Sequence, residues 1–498
     1  MSPPILDGGP APETRAGSLP RLLRSLFAAE GQRSLLHEEA TGWHSAAELD
    51  ELSAEAARLY AGAGLVAGDR LVLSAGSSLS FVVAHLAALR LGLVLVPANT
   101  AYTARELAHI AEDCHPAGVV SDDPARHRVL AAASDRPLAH FRIEGGRLDG
   151  PAAAAPVELD WQEGPEPALI VYTSGTTGQP KGALLTHHNL LANAAAVIEA
   201  WRLSPEDRLV CSLPLFHVHG LCVALQANLA AGASILLRRH FDPADVGAAI
   251  AEHSASLFFG VPTMYARLLG TTELSRLRLA VSGSAPLPAA LHRQLAAAHR
   301  QEVLERYGMS ETLMIATNPY EGERRASTVG GPFPGVTLRL DEPGGEAGEV
   351  LVKGPGVFSG YFGRPAETAA AFDADGWFHT GDLGTLDDDG YLRLVGRKSE
   401  LIITGGYNVY PREVEEVLRR FPGVRDAAVV GEPDDLWGER VVAFVESDEA
   451  ALDKAALVSF AAGELAGYKL PRRLELLSAL PRNSLGKVLK AELSSPGG

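Results

Sequence analysis

The chain is poor in cysteine, in positive charge and in long apolar runs, and each shortage removes a class of protein. Its 498 residues hold three cysteines, Cys114, Cys211 and Cys222. The number is odd and no C-x-x-C pair occurs, which argues against a disulfide framework and a cysteine zinc site. A reducing, cytoplasmic setting fits that usage. Lys and Arg total 44 against 61 Asp and Glu, a formal net charge of -17. Nucleic acid demands a basic footprint, so no nucleic-acid partner is expected. The same acidity opposes any anionic substrate, so local cations must overcome it. The most apolar stretches, Phe81 to Pro97 and Leu221 to Leu237, contain His85 and Arg90, or Gln226 and Asn228. They read as buried helix plus strand, and no membrane span is expected. The first 20 residues have no apolar centre and do not resemble a signal peptide. The final Ser-Pro-Gly-Gly is no peroxisomal or retention tag.

Two nucleotide motifs are missing as well. No G-x-G-x-x-G opens a helix after a strand, and no G-x-x-x-x-G-K-S/T occurs, because Lys181 is followed by Gly182. What stands instead is Tyr-Thr-Ser-Gly-Thr-Thr-Gly-Gln-Pro-Lys-Gly over residues 172–182. Thr173, Ser174, Thr176 and Thr177 offer hydroxyl donors, and Lys181 offers a point charge. Gly175, Gly178 and Gly182 let backbone N–H groups approach an anion closely. The preceding apolar run Ala168–Tyr172 reads as a buried strand. Strand, glycine-rich turn and cation together suit a polyphosphate; a plain Ser/Thr/Gly surface loop is the alternative.

At this length more than one core is expected, and 46% hydrophobic with 21% charged residues suits a soluble globular protein. Met1 to Leu19 reads as a flexible leader. Helical patterns then alternate with short apolar strands, as in Ala46–Ala61, Arg70–Ser74, Leu79–Leu91 and Leu93–Val96. That alternation predicts a mostly parallel sheet. After about Ala316 short strands broken by Gly, Pro and Asp predict a small antiparallel unit, and a second break falls near Arg397–Glu400. The expectation is an α/β protein: a leader over 1–20, a large N-terminal domain of parallel-rich sheets wrapped by helices with a β subdomain over 21–398, and a small mobile α+β domain over 399–498.

Four further clusters follow. Ser282-Gly283-Ser284-Ala285-Pro286 could pack small residues on a flat ring. Glu305-Arg306-Tyr307-Gly308-Met309-Ser310-Glu311 offers an aromatic ring and a carboxylate for Mg²⁺. Trp377 to Asp382 ends in an acid suited to ribose hydroxyls, and Pro481 to Lys487 puts a lysine on a turn. Singly each is weak: an Asp after Gly is usually a turn residue, and a terminal lysine is usually solvated.

Together with residues 172–182 they are specific. From about Leu22 to its end the chain closely resembles the adenylate-forming superfamily of acyl-CoA synthetases, luciferases and peptide-synthetase adenylation domains. The resemblance implies a two-step reaction. ATP and a carboxylate give an acyl-adenylate and pyrophosphate, then a thiol displaces AMP. It implies ATP, Mg²⁺ and coenzyme A as cofactors. Thr173, Ser174, Gly175, Thr176, Thr177 and Lys181 match the phosphate loop. Ser284, Ala285 and Pro286, with Glu305, Arg306, Tyr307, Gly308 and Met309, match the adenine site, Tyr307 as its stacking ring. Ser310 matches a phosphate contact, Glu311 and Thr176 the metal contacts, and Asp382 and Arg397 the ribose contacts. Lys487 matches the adenylation lysine. Gly405, Gly406 and Tyr407 match the loop lining the pantetheine tunnel, and His217 the residue gating it. The family's hinge usually has Asp or Lys two residues after the arginine; here Ser399 stands there.

The wording around Phe259–Arg267, Glu305–Met314 and Asn318–Arg324 is similar to malonyl-CoA synthetases. Arg267 and Arg306 beside an acyl pocket suit a second carboxylate, since guanidinium pairs with it bidentately; structural ion pairs with acids such as Glu305 are the alternative. The expected reaction is malonyl-CoA formation, with methylmalonyl-CoA as a further product. A medium-chain or aryl acyl-CoA ligase is one alternative, and an adenylation module loading a carrier protein is another. A non-catalytic nucleotide binder would need neither Glu311 nor Lys487.

Overall fold

The computed structural model describes residues 5–14, 17–144, 147–150, 156–173, 180–270, 274–341, 347–434, 436–447, 452–483 and 486–493. Two large sheets share one apolar core. The first has eight strands, in the order Gly360–Tyr361, Lys181–Thr186, Pro167–Thr173, Val94–Pro97, Arg70–Ser74, Gly118–Ser121, Ala139–Glu144 and Arg147–Asp149. Its centre is parallel: Val94–Pro97 lies between Pro167–Thr173 and Arg70–Ser74, and Gly118–Ser121 follows. The second has nine strands, with Leu304–Met309, Leu279–Ser282, Leu257–Gly260, Arg208–Cys211, Ser234–Leu237 and Ser34–Glu38 parallel in that order. Runs such as Leu71-Val72-Leu73 are apolar on both faces because both faces are covered.

The helix Leu79–Leu91 shows why its sequence lacks amphipathic spacing: every residue in it is buried. Ser78 caps its start and Gly92, at φ 81°, ends it. Arg90 is tolerated there because its guanidinium pairs with Asp160 at 3.0 Å and Asp50 at 2.8 Å. Among the described residues no helix is long and apolar enough to cross a membrane.

A five-stranded sheet follows, in the order Ile5–Asp7, Thr337–Asp341, Gly348–Lys353, Phe378–Leu386 and Leu392–Arg397. Its first strand corrects the flexible leader expected over 1–20. Ile5, Leu6 and Asp7 pair antiparallel with Arg339, Leu338 and Thr337, and Gly8 donates its N–H to the Val336 carbonyl at 2.9 Å. An unfilled edge recruited the segment despite its proline-rich flanks. A second difference lies at the start of Leu221 to Leu237, read as buried helix plus strand: His219–Gln226 winds as a π-helix, a form often placed at functional sites.

The one-turn segment Lys398–Glu400 leads into the last unit. There Asp426–Asp434, Gly438–Glu446, Ile402–Thr404 and Tyr407–Val409 form an antiparallel sheet, with Arg473–Leu477 parallel to Gly438–Glu446. Helices Pro411–Leu418 and Lys454–Ala462 cover it and complete a separate core. The molecule is mixed α/β with a small α+β unit at its end.

Candidate active site

The two strands around residues 174–179 are antiparallel, and their last registered pair is Thr173 with Lys181. Ser174, Gly175, Thr176 and Thr177 lie outside the described residues. Of the two flanking residues, Thr173 reaches Glu311, its Oγ1 3.5 Å from Glu311 Oε1, while the Lys181 ammonium lies 5.3 Å from the centre of the Tyr361 ring. The Tyr361 hydroxyl donates to the same Glu311 oxygen at 3.2 Å. Burial raises the Glu311 pKa; its own backbone N–H, Tyr361 and Arg397 pull the other way. A buried carboxylate, two hydroxyls and an ammonium thus converge where an oxygen-ligated cation and phosphate oxygens fit together.

Strands Leu279–Ser282 and Leu304–Met309 run parallel, and their carboxyl ends open on this place, as ligand crevices of parallel sheets do. Ser284, at φ 68°, begins the turn that continues through Ala285 and Pro286. A Cβ on Gly283 would lie 2.3 Å from Arg306 Nε, so glycine lets the guanidinium lie on the backbone. Arg306 is 5% exposed, and its Nε and Nη2 have no partner. Burial lowers its pKa to about 9. His217 and His219 stand near enough to feel that charge. Burial, then Arg306, lowers His217 to about 4 and His219 further below its ordinary value. His217 Nδ1 accepts the His219 backbone N–H at 3.2 Å, and His219 Nδ1 shares a hydrogen bond with Ser284 Oγ at 3.1 Å.

Glu305 turns away from Arg306. Its Oε1 accepts the Leu287 N–H at 2.9 Å, Oε2 has no partner, and burial pushes its pKa up to about 7. Tyr307, the next inward residue, donates its hydroxyl to Asp382 Oδ2 at 2.6 Å. Asp382 Oδ1 takes Arg397 Nε at 3.0 Å, a contact set by the register of Phe378–Leu386 against Leu392–Arg397. Burial and the Asp382 charge both raise the Tyr307 pKa, which keeps the phenol neutral. Gly308, Met309 and Ser310 continue from Tyr307, with Gly308 closely packed: a Cβ there would meet the Leu313 carbonyl at 2.0 Å.

Lys487, from the last unit, stands near enough to feel the charges of Asp382 and Glu400. Its side chain is exposed by surface area, yet the surrounding protein and Arg397 lower its pKa, while Glu400 and Asp382 oppose that shift. Lys490, one turn on, ties to Glu400 at 2.9 Å and Glu415 at 2.8 Å. On the other side of Ser399, Lys398 ties to the buried Glu349 at 3.0 Å.

Other expected residues stand elsewhere. Arg267 does not join Arg306: it is exposed on the helix Pro262–Leu268, its guanidinium 4.9 Å from the Phe241 ring centre. Gly405 and Gly406, at φ 57° and 83°, lie on the exposed edge of the last sheet, where a Cβ on Gly406 would touch nothing within 4 Å. Tyr407 stacks on Tyr468 at 4.6 Å. Two contributors went unread. His219 had a signal, a second histidine two residues after His217. Tyr361 had none, since it reaches Glu311 only because Gly360–Tyr361 pairs with Lys181–Thr186.

The chain matches the AMP-binding enzyme model over residues 27–362 and the AMP-binding enzyme C-terminal domain model over 413–487. It is 36% identical to a feruloyl-CoA synthase of Amycolatopsis over 89% of this chain and 92% of that one. It is 35% identical to a malonate–CoA ligase of Arabidopsis thaliana over 87% of this chain and 79% of that one. The ATP-bound MatB of Rhodopseudomonas palustris superposes with a TM-score of 0.89 at 38% identity, covering 96% of this chain and 98% of that one. The chain therefore belongs to the AMP-binding enzyme family of adenylate-forming proteins.

Proposed function

We propose that the protein is an ATP-dependent acid–CoA ligase acting on malonate, and on methylmalonate as a second substrate. The ligase reading rests on the family and on the convergence of Thr173, Lys181, Glu311, Asp382, Arg397 and Lys487. The observation that carries the substrate is Arg306. A buried guanidinium without an anion is costly, and Arg306 Nε and Nη2 have no partner among the described residues. A distal carboxylate would supply the missing partner. With Ser284 donating to His219 Nδ1, the free Nε2 of neutral His219 adds a third donor beside Arg306 Nε and Nη2. Ferulate or a medium-chain acid would bring no anion to these donors. Sequence identity alone separates nothing here, at 36% and 35% for the two relatives.

In the first step an oxygen of the reacting carboxylate attacks the α-phosphorus and pyrophosphate leaves. Lys487 offsets the charge developing between them. Asp382 and Arg397 hold the ribose hydroxyls, Ser284 to Pro286 and Tyr307 flank the adenine, and Thr173 and Lys181 hold the outer phosphates. Glu311 would hold Mg²⁺, which neutralises phosphate charge when bound. In the second step the C-terminal unit turns about Ser399, the residue between the Lys398 and Glu400 anchors. That brings Gly405, Gly406 and Tyr407 toward His217 to line a path for the CoA thiol, whose sulfur attacks the acyl carbon as AMP departs.

AMP release with CoA and a panel of malonate, methylmalonate, butyrate, octanoate and ferulate tests the reading. Malonate should give the highest kcat/KM. A lead for octanoate or ferulate would replace it with the general acyl or aryl ligase; transfer to a carrier protein without free CoA turnover would replace it with an adenylation module.

A further inference from the structure

One face of the helix Ala104–Cys114 reaches both ends of the phosphate run. His109 and Asp113, four residues apart, share that face. His109 Nε2 donates to the Pro180 carbonyl at 2.9 Å. Asp113 Oδ2 accepts the Tyr172 hydroxyl at 2.7 Å, and Oδ1 accepts Arg364 Nη2 at 2.8 Å. The His109 and Tyr172 rings also meet edge to face at 6.2 Å. Tyr172 directly precedes Thr173, and Pro180 directly precedes Lys181. Arg364 lies three residues beyond Tyr361, the partner of Glu311. Three segments that carry nucleotide-facing groups therefore hang from two side chains on one helix.

The helix is a firm support. Thr103 and Glu106 close a capping box at its start, and Leu107, Ile110, Ala111 and Cys114 are buried in a core shared with Val94, Val96, Ile170 and Tyr172. The bonds also fall where strand pairing ends. Pro180 has no N–H, so the ladder cannot extend past Lys181, and His109 takes the carbonyl left over. Besides these ties the two stems are joined by register and by a 3.5 Å contact of Thr173 Oγ1 with the Lys181 carbonyl.

We propose that His109 and Asp113 are positioning residues for the polyphosphate. They fix the separation of the two stems from which Thr173 and Lys181 reach the nucleotide, so that these two groups meet ATP already in place. The proposal rests on the phosphate-binding reading of this run, not on the identity of the acid.

Calorimetric titration with MgATP and, separately, with AMP tests it without any acid present. AMP lacks the β- and γ-phosphates and serves as the internal control. His109→Leu should weaken MgATP binding roughly 2- to 10-fold, the worth of one net hydrogen bond, with AMP unchanged. His109→Gln, whose amide also donates, should restore most of it. Tyr172→Phe should act in the same direction as His109→Leu. Thioester formation from supplied acyl-adenylate should stay at the wild-type rate in all three. Equal weakening of ATP and AMP, or failure of glutamine to rescue while the unfolding midpoint is unchanged, would assign His109 to structure alone. Wild-type MgATP affinity in His109→Leu would overturn the proposal outright. An acid panel without turnover beside intact, His109-dependent MgATP binding would sink the ligase reading and leave this one standing.

Discussion

The proposed nucleotide side and the proposed acyl side of the cleft treat buried polar groups in opposite ways. On the nucleotide side the polar groups are already paired: Tyr307 to Asp382, Asp382 to Arg397, Tyr361 to Glu311. On the acyl side Arg306 and His219 are buried with donors that meet nothing. Paired groups are preorganised, and a ligand meets them without rearrangement. Unpaired buried donors set a preference instead, because any ligand without an anion leaves their cost in place. The first arrangement suits a substrate common to a whole family, the second a substrate that distinguishes one member.

Removing Lys487, the cation proposed to offset charge between the carboxylate and the α-phosphate, should do the most damage. Lys487→Ala should slow pyrophosphate exchange by at least ~10²-fold, the usual size for one preorganised donor. Thioester formation from supplied acyl-adenylate should be spared. Because its surroundings lower the Lys487 pKa, adenylation should decline with rising pH before a free lysine would lose its proton, and that high-pH limb should vanish in the variant. Equal losses in the two half-reactions would sink the role.

Arg306→Met tests the acyl side alone. Each charge-assisted bond to a distal carboxylate is worth about 1.5–3 kcal/mol, so kcat/KM for malonate should fall roughly 10- to 100-fold. Butyrate should gain, since methionine removes the buried charge that excludes it. An unchanged malonate-to-butyrate ratio would show that Arg306 serves the adenine site only. Steady-state kinetics with the two acids at low and high salt decide it, because an enclosed pair is little screened.

The two sides also differ in how far they could be read from sequence. The proposed nucleotide contacts come from compact runs, and of these the structure brings together Thr173 with Glu311, and Tyr307 with Asp382 and Arg397. The parallel sheets were legible from apolar runs of strand length, and Arg70–Ser74 and Leu79–Leu91 have the bounds that alternation indicates. What failed depends on distant pairing. Ile5–Asp7 becomes a strand only because Thr337–Asp341 offers an edge. Tyr361 and His109 act through segments that sequence spacing cannot bring together. Arg267 and Arg306 look alike as arginines near one expected pocket, yet one stands on the exposed face of a helix and the other on a buried strand.

Glu305 offers a stability test within the nucleotide side, where it is the exception with an unpaired oxygen. Its pKa rises from an ordinary 4.5 to about 7. The folded state therefore holds the proton more tightly than the unfolded chain. Stability from this source is complete below about 4.5 and is lost as pH rises through about 7. Glu305→Gln keeps an acceptor for the Leu287 N–H and removes the charge. It should unfold at higher urea than wild type at pH 8, by an amount worth up to roughly 2–3 kcal/mol, and match wild type below pH 5. A gap that does not change with pH would mean that the carboxylate finds a partner when ionised.

The smallest expected effect separates the two arginines. Arg267 is exposed, with its guanidinium over Phe241, whereas Arg306 is enclosed against Gly283. A cation over an aromatic ring at an exposed site contributes about 0.5–1 kcal/mol, and that contribution belongs to the helix Pro262–Leu268 and its packing, not to a bound acid. Methionine keeps an apolar stem against Phe241, so Arg267→Met should change kcat/KM for malonate by less than about 3-fold and leave the malonate-to-butyrate ratio alone. Its urea midpoint should fall slightly, and the double variant with Arg306→Met should lose no more than the product of the single losses, since Arg267 is exposed over Phe241 and Arg306 is buried against Gly283. A fall in the malonate-to-butyrate ratio comparable to that of Arg306→Met would show that Arg267 reaches the acid in the working enzyme. The acyl side would then hold its distal anion between two guanidinium groups, with the helix Pro262–Leu268 swinging inward to close it.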